Sequence, residues 1–150
     1  MNLHKTGAPA AQCWRGIFDA LPLPAFIVDE DVRVLDFNAE AEKLLGVSPK
    51  SSLRRRGGEA LHCVYAESVG CGKARPCKNC VIRNSVADAV RGLDTHRKFH
   101  RAGLCGSRGP VPVSLFVTAS RLPDARPPQV LLVLENVAET VRLYNQHLGL

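Results

Sequence analysis

The order of apolar patterns along the chain predicts an α+β domain: five β-type segments, two before and three after a helical stretch, with a further helix at each end. Three observations carry this reading. Short apolar runs bounded by Gly, Pro, Asp and Asn mark the strands. Stripes recurring at i, i+3, i+4 and i+7 mark the helices. The length, 150 residues, suits one core with short tails, large enough to bury roughly two thirds of its unfolded surface.

Residues 1–10 carry no such pattern and read as a disordered N-terminus. Trp14, Ile17, Phe18 and Leu21 then form a stripe, so residues 11–21 are expected as an amphipathic helix ended by Pro22 and Pro24. One core need not cover all of that stripe, which predicts a homodimer through this helix. Residues 25–29 and 32–37 flank the acidic turn Asp29, Glu30 and Asp31, the pattern of a hairpin. Asn38 follows as an N-cap for a short helix carrying Ala39, Ala41, Leu44 and Leu45 and closed by Gly46.

Residues 47–76, rich in Ser, Gly, Arg and Cys, read as irregular. Helical character returns over residues 76–92 through Val81, Val86, Ala89, Val90 and Leu93, with Pro76 suited to the first turn. Residues 95–102 and 111–121 are β-like, joined by a glycine-rich loop over 103–109, and residues 130–134 add a last strand. From Val137 the apolar residues Val137, Val141, Tyr144 and Leu148 open a heptad pattern, a tail built to continue or to pair. The expected core is Phe26, Val28, Val34, Phe37, Leu44, Val113, Leu115, Val117, Leu131 and Val133.

Charge excludes little but directs attention. Twenty Lys and Arg against fourteen Asp and Glu leave +6, and the densest run, Arg54, Arg55 and Arg56, lacks the interleaved aromatic residues of a nucleic-acid site. No direct nucleic-acid partner is expected. No apolar run approaches the roughly 20 residues that span a bilayer, so no membrane contact and a cytoplasmic location are expected. A nucleophile oriented by a base, or a phosphate-cradling glycine loop leading into a helix, is also missing, and no enzymatic activity is expected.

The sequence over residues 23–29 (Leu-Pro-Ala-Phe-Ile-Val-Asp), 34–46 (Val-Leu-Asp-Phe-Asn-Ala-Glu-Ala-Glu-Lys-Leu-Leu-Gly) and 130–139 (Val-Leu-Leu-Val-Leu-Glu-Asn-Val-Ala-Glu) resembles the PAS family. The resemblance spans residues 22–139. It implies a five-stranded antiparallel sheet with helices on one face, here a sensory domain over residues 22–137 between the amphipathic helix and a C-terminal signalling helix beginning at residue 138. It also implies a sensory role, with a histidine kinase or another effector module as partner. Where such modules usually show Asp-Ile-Thr at the exit, this chain has Glu135, Asn136 and Val137.

The cysteines are the most informative residues. Cys63, Cys71, Cys77 and Cys80 fall within 18 residues, apart from Cys13 and Cys105, and in a reducing cytosol such a cluster suggests metal ligation before disulfides. Cys77 and Cys80, three apart at the start of a helix, are expected on one face with the helix dipole favouring their thiolates. Gly70 and Gly72 allow a tight turn around Cys71. Four thiolates suit an iron–sulfur cluster or tetrahedral zinc; a thiol–disulfide switch and buried structural thiols are the other readings. The cysteine segment is similar to that of a PAS subset in bacterial sensor kinases, over Gly58 to Cys63, Gly70 to Gly72 and Cys77 to Cys80. A cluster can change with oxygen or redox state, so redox or oxygen sensing is expected.

Two PAS cofactors fit less well. Asn79 and Cys80 are not followed by the flavin-reading pattern, and residues 77–92 hold no histidine for haem. His62, His96, His100 and His147 read as surface residues. Two rival functions use the same fold: a small-molecule receptor in which the cysteines only brace the wall, and a module that only dimerises.

Overall fold

The computed structural model describes residues 10–46 and 49–149. All but the last of residues 1–10, expected as a disordered N-terminus, lie outside the described residues.

The first helix, α1 (Ala10–Ala20), stops before the Pro22 and Pro24 turn. β1 (Ala25–Val28) and β2 (Val34–Phe37) follow as the expected hairpin. Its turn is closed by Asp29, whose Oδ1 accepts the N–H groups of Asp31 and Arg33, both at 2.9 Å. Asn38 then caps α2 (Ala39–Leu44), its side-chain oxygen accepting the Ala41 N–H, and Gly46 leaves the helix at φ +78°, a conformation glycine adopts without strain.

The stretch from 49 to 80, expected as irregular and then helical, is neither throughout. It contains a 3₁₀ turn at Pro49–Ser52, short helices α3 (Gly57–Ala60) and α4 (Val64–Val69), and a second 3₁₀ turn at Arg75–Asn79. The long helix α5 (Val81–Val90) therefore begins after Cys80 rather than near Pro76, and it ends before Gly92 and the exposed Leu93. Single turns stabilised by tertiary contacts leave no periodic signal in sequence.

β3 (Thr95–Gly106) and β4 (Gly109–Arg121) form a long hairpin, followed by β5 (Val130–Asn136) and the tail helix α6 (Val137–Leu148). The glycine-rich segment 103–109 is not an open loop as expected: Gly103 pairs with Pro112 and Gly106 with Gly109, so the strands run on to a two-residue turn at Ser107 and Arg108. The five strands stand in the order β2-β1-β5-β4-β3, every neighbouring pair antiparallel. This is the predicted fold class.

Helices α2 to α5 lie over one face of this sheet. There Phe26, Val28, Val34, Leu115 and Val117 are buried as expected, with Phe37 and Val113 packed at the margin. Three expected core positions are displaced. Leu44 is exposed and Leu45 is buried in its place, because Ala41 and Leu45 are four apart and share the inward face of α2. On β5, Val130, Leu132 and Leu134 enter this core, whereas Leu131 and Val133 point to the other face and meet Phe18 and Leu21 of α1. Five successive apolar residues give no alternation, since both faces of β5 are covered.

α1 is held there by more than its apolar stripe. Arg15 donates to both oxygens of Asp36 (2.9 and 2.8 Å) and to the Phe37 carbonyl at 2.9 Å, while Asp19 accepts the Ala39 N–H at 3.0 Å. Trp14 and Ile17 remain exposed. Among the described residues no helix is long and apolar enough to cross a membrane.

Candidate functional site

The cysteine segment hangs between the two edges of the sheet. At one end Val34 donates to the Arg55 carbonyl at 2.8 Å, and Gly57 donates to the Val32 carbonyl at 2.8 Å. At the other end Cys63 bridges Leu104, and the Cys105 N–H donates to the His62 carbonyl at 2.7 Å, so the segment pairs with the free edge of β3. Gly103 makes that approach possible: a Cβ there would lie 3.2 Å from Val64 Cγ2.

Each cysteine is then placed by local geometry. Cys63 sits before α4 and its N–H donates to the Gly58 carbonyl at 2.7 Å. Cys71 lies between Gly70 and Gly72, both at positive φ, and its sulfur rests over Gly58, where any Cβ would be 2.9 Å from Sγ. Cys77 belongs to the second 3₁₀ turn, and Cys80 ends that turn and precedes α5. The expected sharing of one helical face by Cys77 and Cys80 is thus replaced by a tighter arrangement, in which the Cys80 N–H donates to the Cys77 carbonyl at 3.1 Å.

All four cysteines line one chamber of about 310 Å³ between α4, α5 and the inner face of β3. Its apolar wall includes Val32, Leu61, Ile82 and Leu115. Its polar wall holds Arg83 and His100, and among the described residues no Asp or Glu lines it. All six cysteines are free thiols, and Cys13 and Cys105 are exposed.

Burial pushes the Cys80 thiol up from its ordinary range; backbone N–H groups of Arg83 and Ile82 oppose this, and the neighbouring Cys71 and Cys63 reinforce it. Neutralising cations are therefore needed if several thiolates are to coexist here. One is in contact: Arg83 Nη1 donates to Cys71 Sγ at 3.6 Å.

The donor set suits a soft metal, since among the described residues it offers four sulfurs and no carboxylate, with Tyr65 and Asn79 as the side-chain oxygens of the lining. A single zinc requires four sulfurs at about 2.3 Å from one point. Among the described residues no group of three or more His, Cys, Asp or Glu is arranged around such a point.

Two residues of this site carried no signal as single letters. His100, expected on the surface, is half-buried in the chamber wall, and burial pushes its pKa down. It pairs with the buried Leu115, and the parity of His100, Ala102 and Leu104 along β3 is the pattern that points it inward. Arg83, one turn into α5 from Cys80, was likewise unmarked.

Residues 12–79 match the family model described as PAS domain. Among solved structures the chain is similar to the PAS domain of Bordetella pertussis BvgS, with 16% identity, a TM-score of 0.57, and coverage of 93% of this chain and 98% of that one. It is similar to a domain of the sensory box sensor histidine kinase/response regulator of Geobacter sulfurreducens, with 20% identity, a TM-score of 0.54, and coverage of 84% and 93%. The PAS domain of nitrogen regulation protein NR(II) from Vibrio parahaemolyticus shares 15% identity at a TM-score of 0.54, with coverage of 82% and 96%. At these identities the likeness is one of fold. No curated protein matches the chain in sequence.

Proposed function

We propose that this chain, whose residues 12–79 match the PAS domain model and which carries the PAS fold, is a non-enzymatic, cytoplasmic sensory module whose input is redox state or oxygen, read at Cys63, Cys71, Cys77 and Cys80. The observation that carries this reading is the meeting of four thiols in one chamber walled by arginine and histidine and free of carboxylates. A four-thiolate cluster is an anion, and such a wall suits it. An iron–sulfur cluster bound there would supply one-electron redox chemistry and sensitivity to oxygen.

The chain's own residues supply the rest. Gly58, Gly70 and Gly72 let Cys71 approach the chamber. Cys63 links the chamber wall to β3 through its bridge to Leu104. β3 pairs with β4, β4 with β5, and β5 runs straight into α6, whose first turn is capped by Asn136 accepting the Glu139 N–H at 3.1 Å. A shift of the cysteine segment thus has a continuous hydrogen-bonded route to the tail, without passing through α5.

The output partner in this reading is a histidine kinase or another effector module, as for the Geobacter domain that comes from a sensor kinase. A homodimer is part of the proposal. Trp14 and Ile17 on α1, and Val141, Tyr144 and Leu148 on α6, stand exposed and apolar.

The test is purification without oxygen, followed by visible absorbance and assays of iron and acid-labile sulfide. Brown protein with both elements, lost in Cys77→Ser and Cys80→Ser, is the expected result. Stoichiometric zinc in colourless protein would replace the cluster with a zinc site. Colourless, metal-free protein stabilised against heat by a small carboxylate would overturn redox sensing in favour of a ligand receptor, with Arg83 and His100 as its anchors.

A further inference from the structure

We infer that Arg83 is the positioning residue of this site: it holds Cys71 in the chamber wall and sets the charge felt by whatever the thiolates bind. The inference rests on the cluster reading above for its second half only.

Arg83 stands in the first turn of α5, where the helix dipole disfavours a cation and where no acidic residue offsets it. Among the described residues no carboxylate pairs with it. Its hydrogen-bond acceptor is the sulfur of Cys71, twelve residues back in sequence, at 3.6 Å. A residue placed against its helix dipole and away from any acid is placed for an anion elsewhere, and Cys71 is what it meets.

Two glycines keep room for this contact. A Cβ on Gly72 would lie 2.7 Å from Arg83 Cζ, and a Cβ on Gly58 would lie 2.9 Å from Cys71 Sγ. Cys71 is therefore packed between Gly58 beneath and Arg83 across, while Gly72 leaves the guanidinium its place over the turn. The turn itself has little else: the Lys73 N–H donates to the Gly70 carbonyl at a long 3.2 Å. An N–H donated to a ligand sulfur, carried by a cation, favours the more negative, reduced state of a bound cluster and raises its reduction potential.

The experiment compares wild type with Arg83→Gln, Arg83→Lys and Gly72→Ala by two readouts. The first is amide hydrogen exchange of the cluster-free proteins. Arg83→Gln and Gly72→Ala are expected to speed exchange at residues 70–73 with little change in the sheet, whereas unchanged exchange would overturn the inference. The second is a redox titration of anaerobically prepared protein. Arg83→Gln is expected to lower the reduced-to-oxidised ratio at fixed solution potential by about tenfold, or 59 mV for one electron, with Arg83→Lys restoring most of it. An unchanged potential in a variant that still holds iron and sulfide overturns the inference and leaves the cluster reading intact. A wild type that binds neither iron nor sulfide overturns the cluster reading, and hydrogen exchange alone then decides whether Arg83 positions Cys71.

Discussion

Asn38 shows how much one side chain can connect. Its Oδ1 accepts the N–H groups of Ala25 (3.0 Å) and Ala41 (2.9 Å), and its Nδ2 donates to the carbonyls of Phe18 (3.0 Å) and Leu23 (2.9 Å). It is 1% exposed, so α1, β1 and α2 meet through a fully used buried amide. Replacing it with Ala orphans two buried donors and two acceptors, and a loss of about 3 kcal/mol is expected in urea unfolding. Asn38→Asp keeps the acceptor but faces two carbonyls with a carboxylate, so it is expected to be less stable at neutral pH than in mild acid. His100 titrates the other way. Burial lowers its folded pKa below the ordinary 6.5. The unfolded chain therefore binds the proton first, and stability is complete above about pH 6.5 and falls as pH drops below it. His100→Asn is expected to flatten that acid limb in thermal melts across pH 5 to 8, and an unaltered limb would assign the effect elsewhere.

At the scale of elements, α2 and β5 are distinguished by which face they bury. Leu45 is 5% exposed and Leu44 is 46% exposed. Leu45→Ala is expected to cost about 3 kcal/mol, whereas Leu44→Ala should stay within about 0.5 kcal/mol. The reverse order would mean that α2 is rotated. β5 has two buried faces, so Leu134→Ala strikes the main core while Val133→Asp undermines the seat of α1. Phe18→Ala removes the side chain that anchors α1 between Ala25 and Ile27. It is expected to release α1 to proteases with the sheet still folded, since the core under α2 to α5 forms a separate cluster.

The whole molecule has its chamber at one end of a hydrogen-bonded route and α6 at the other. A tenfold bias between two arrangements of paired tails requires only about 1.4 kcal/mol, less than one metal–thiolate bond contributes. Spin labels near Tyr144 are expected to report a change of inter-tail distance between reduced and oxidised anaerobic samples. Cys77→Ser with Cys80→Ser should abolish that change. Distances that ignore redox state in the wild type would remove redox sensing from the proposal. Association is checked by sedimentation: wild type is expected as a dimer and Trp14→Glu as a weaker one, while a monomer at high concentration would remove the homodimer.

The local pattern by itself determined the punctuated elements: the Asp29 hairpin, the Asn38 cap with Gly46, the stripe of α1, the heptad of α6 and the two-then-three order of strands. These are legible because caps, turns and periodic stripes act through neighbours within about a turn. The cysteine group was legible as a group, through its spacing and its glycines, but not as a geometry. Only the tertiary structure decided that residues 49–80 fold as separate turns, that the long helix starts after Cys80, and that Leu45 rather than Leu44 and Val130, Leu132 and Leu134 rather than Leu131 and Val133 fill the main core. Only it brought His100 and Arg83 to the chamber of the thiols. Short turns held by distant strands carry no period of their own, and a strand covered on both faces carries no alternation. What each such residue touches is set by the register of β3 against the cysteine segment, a long-range pairing with no local mark.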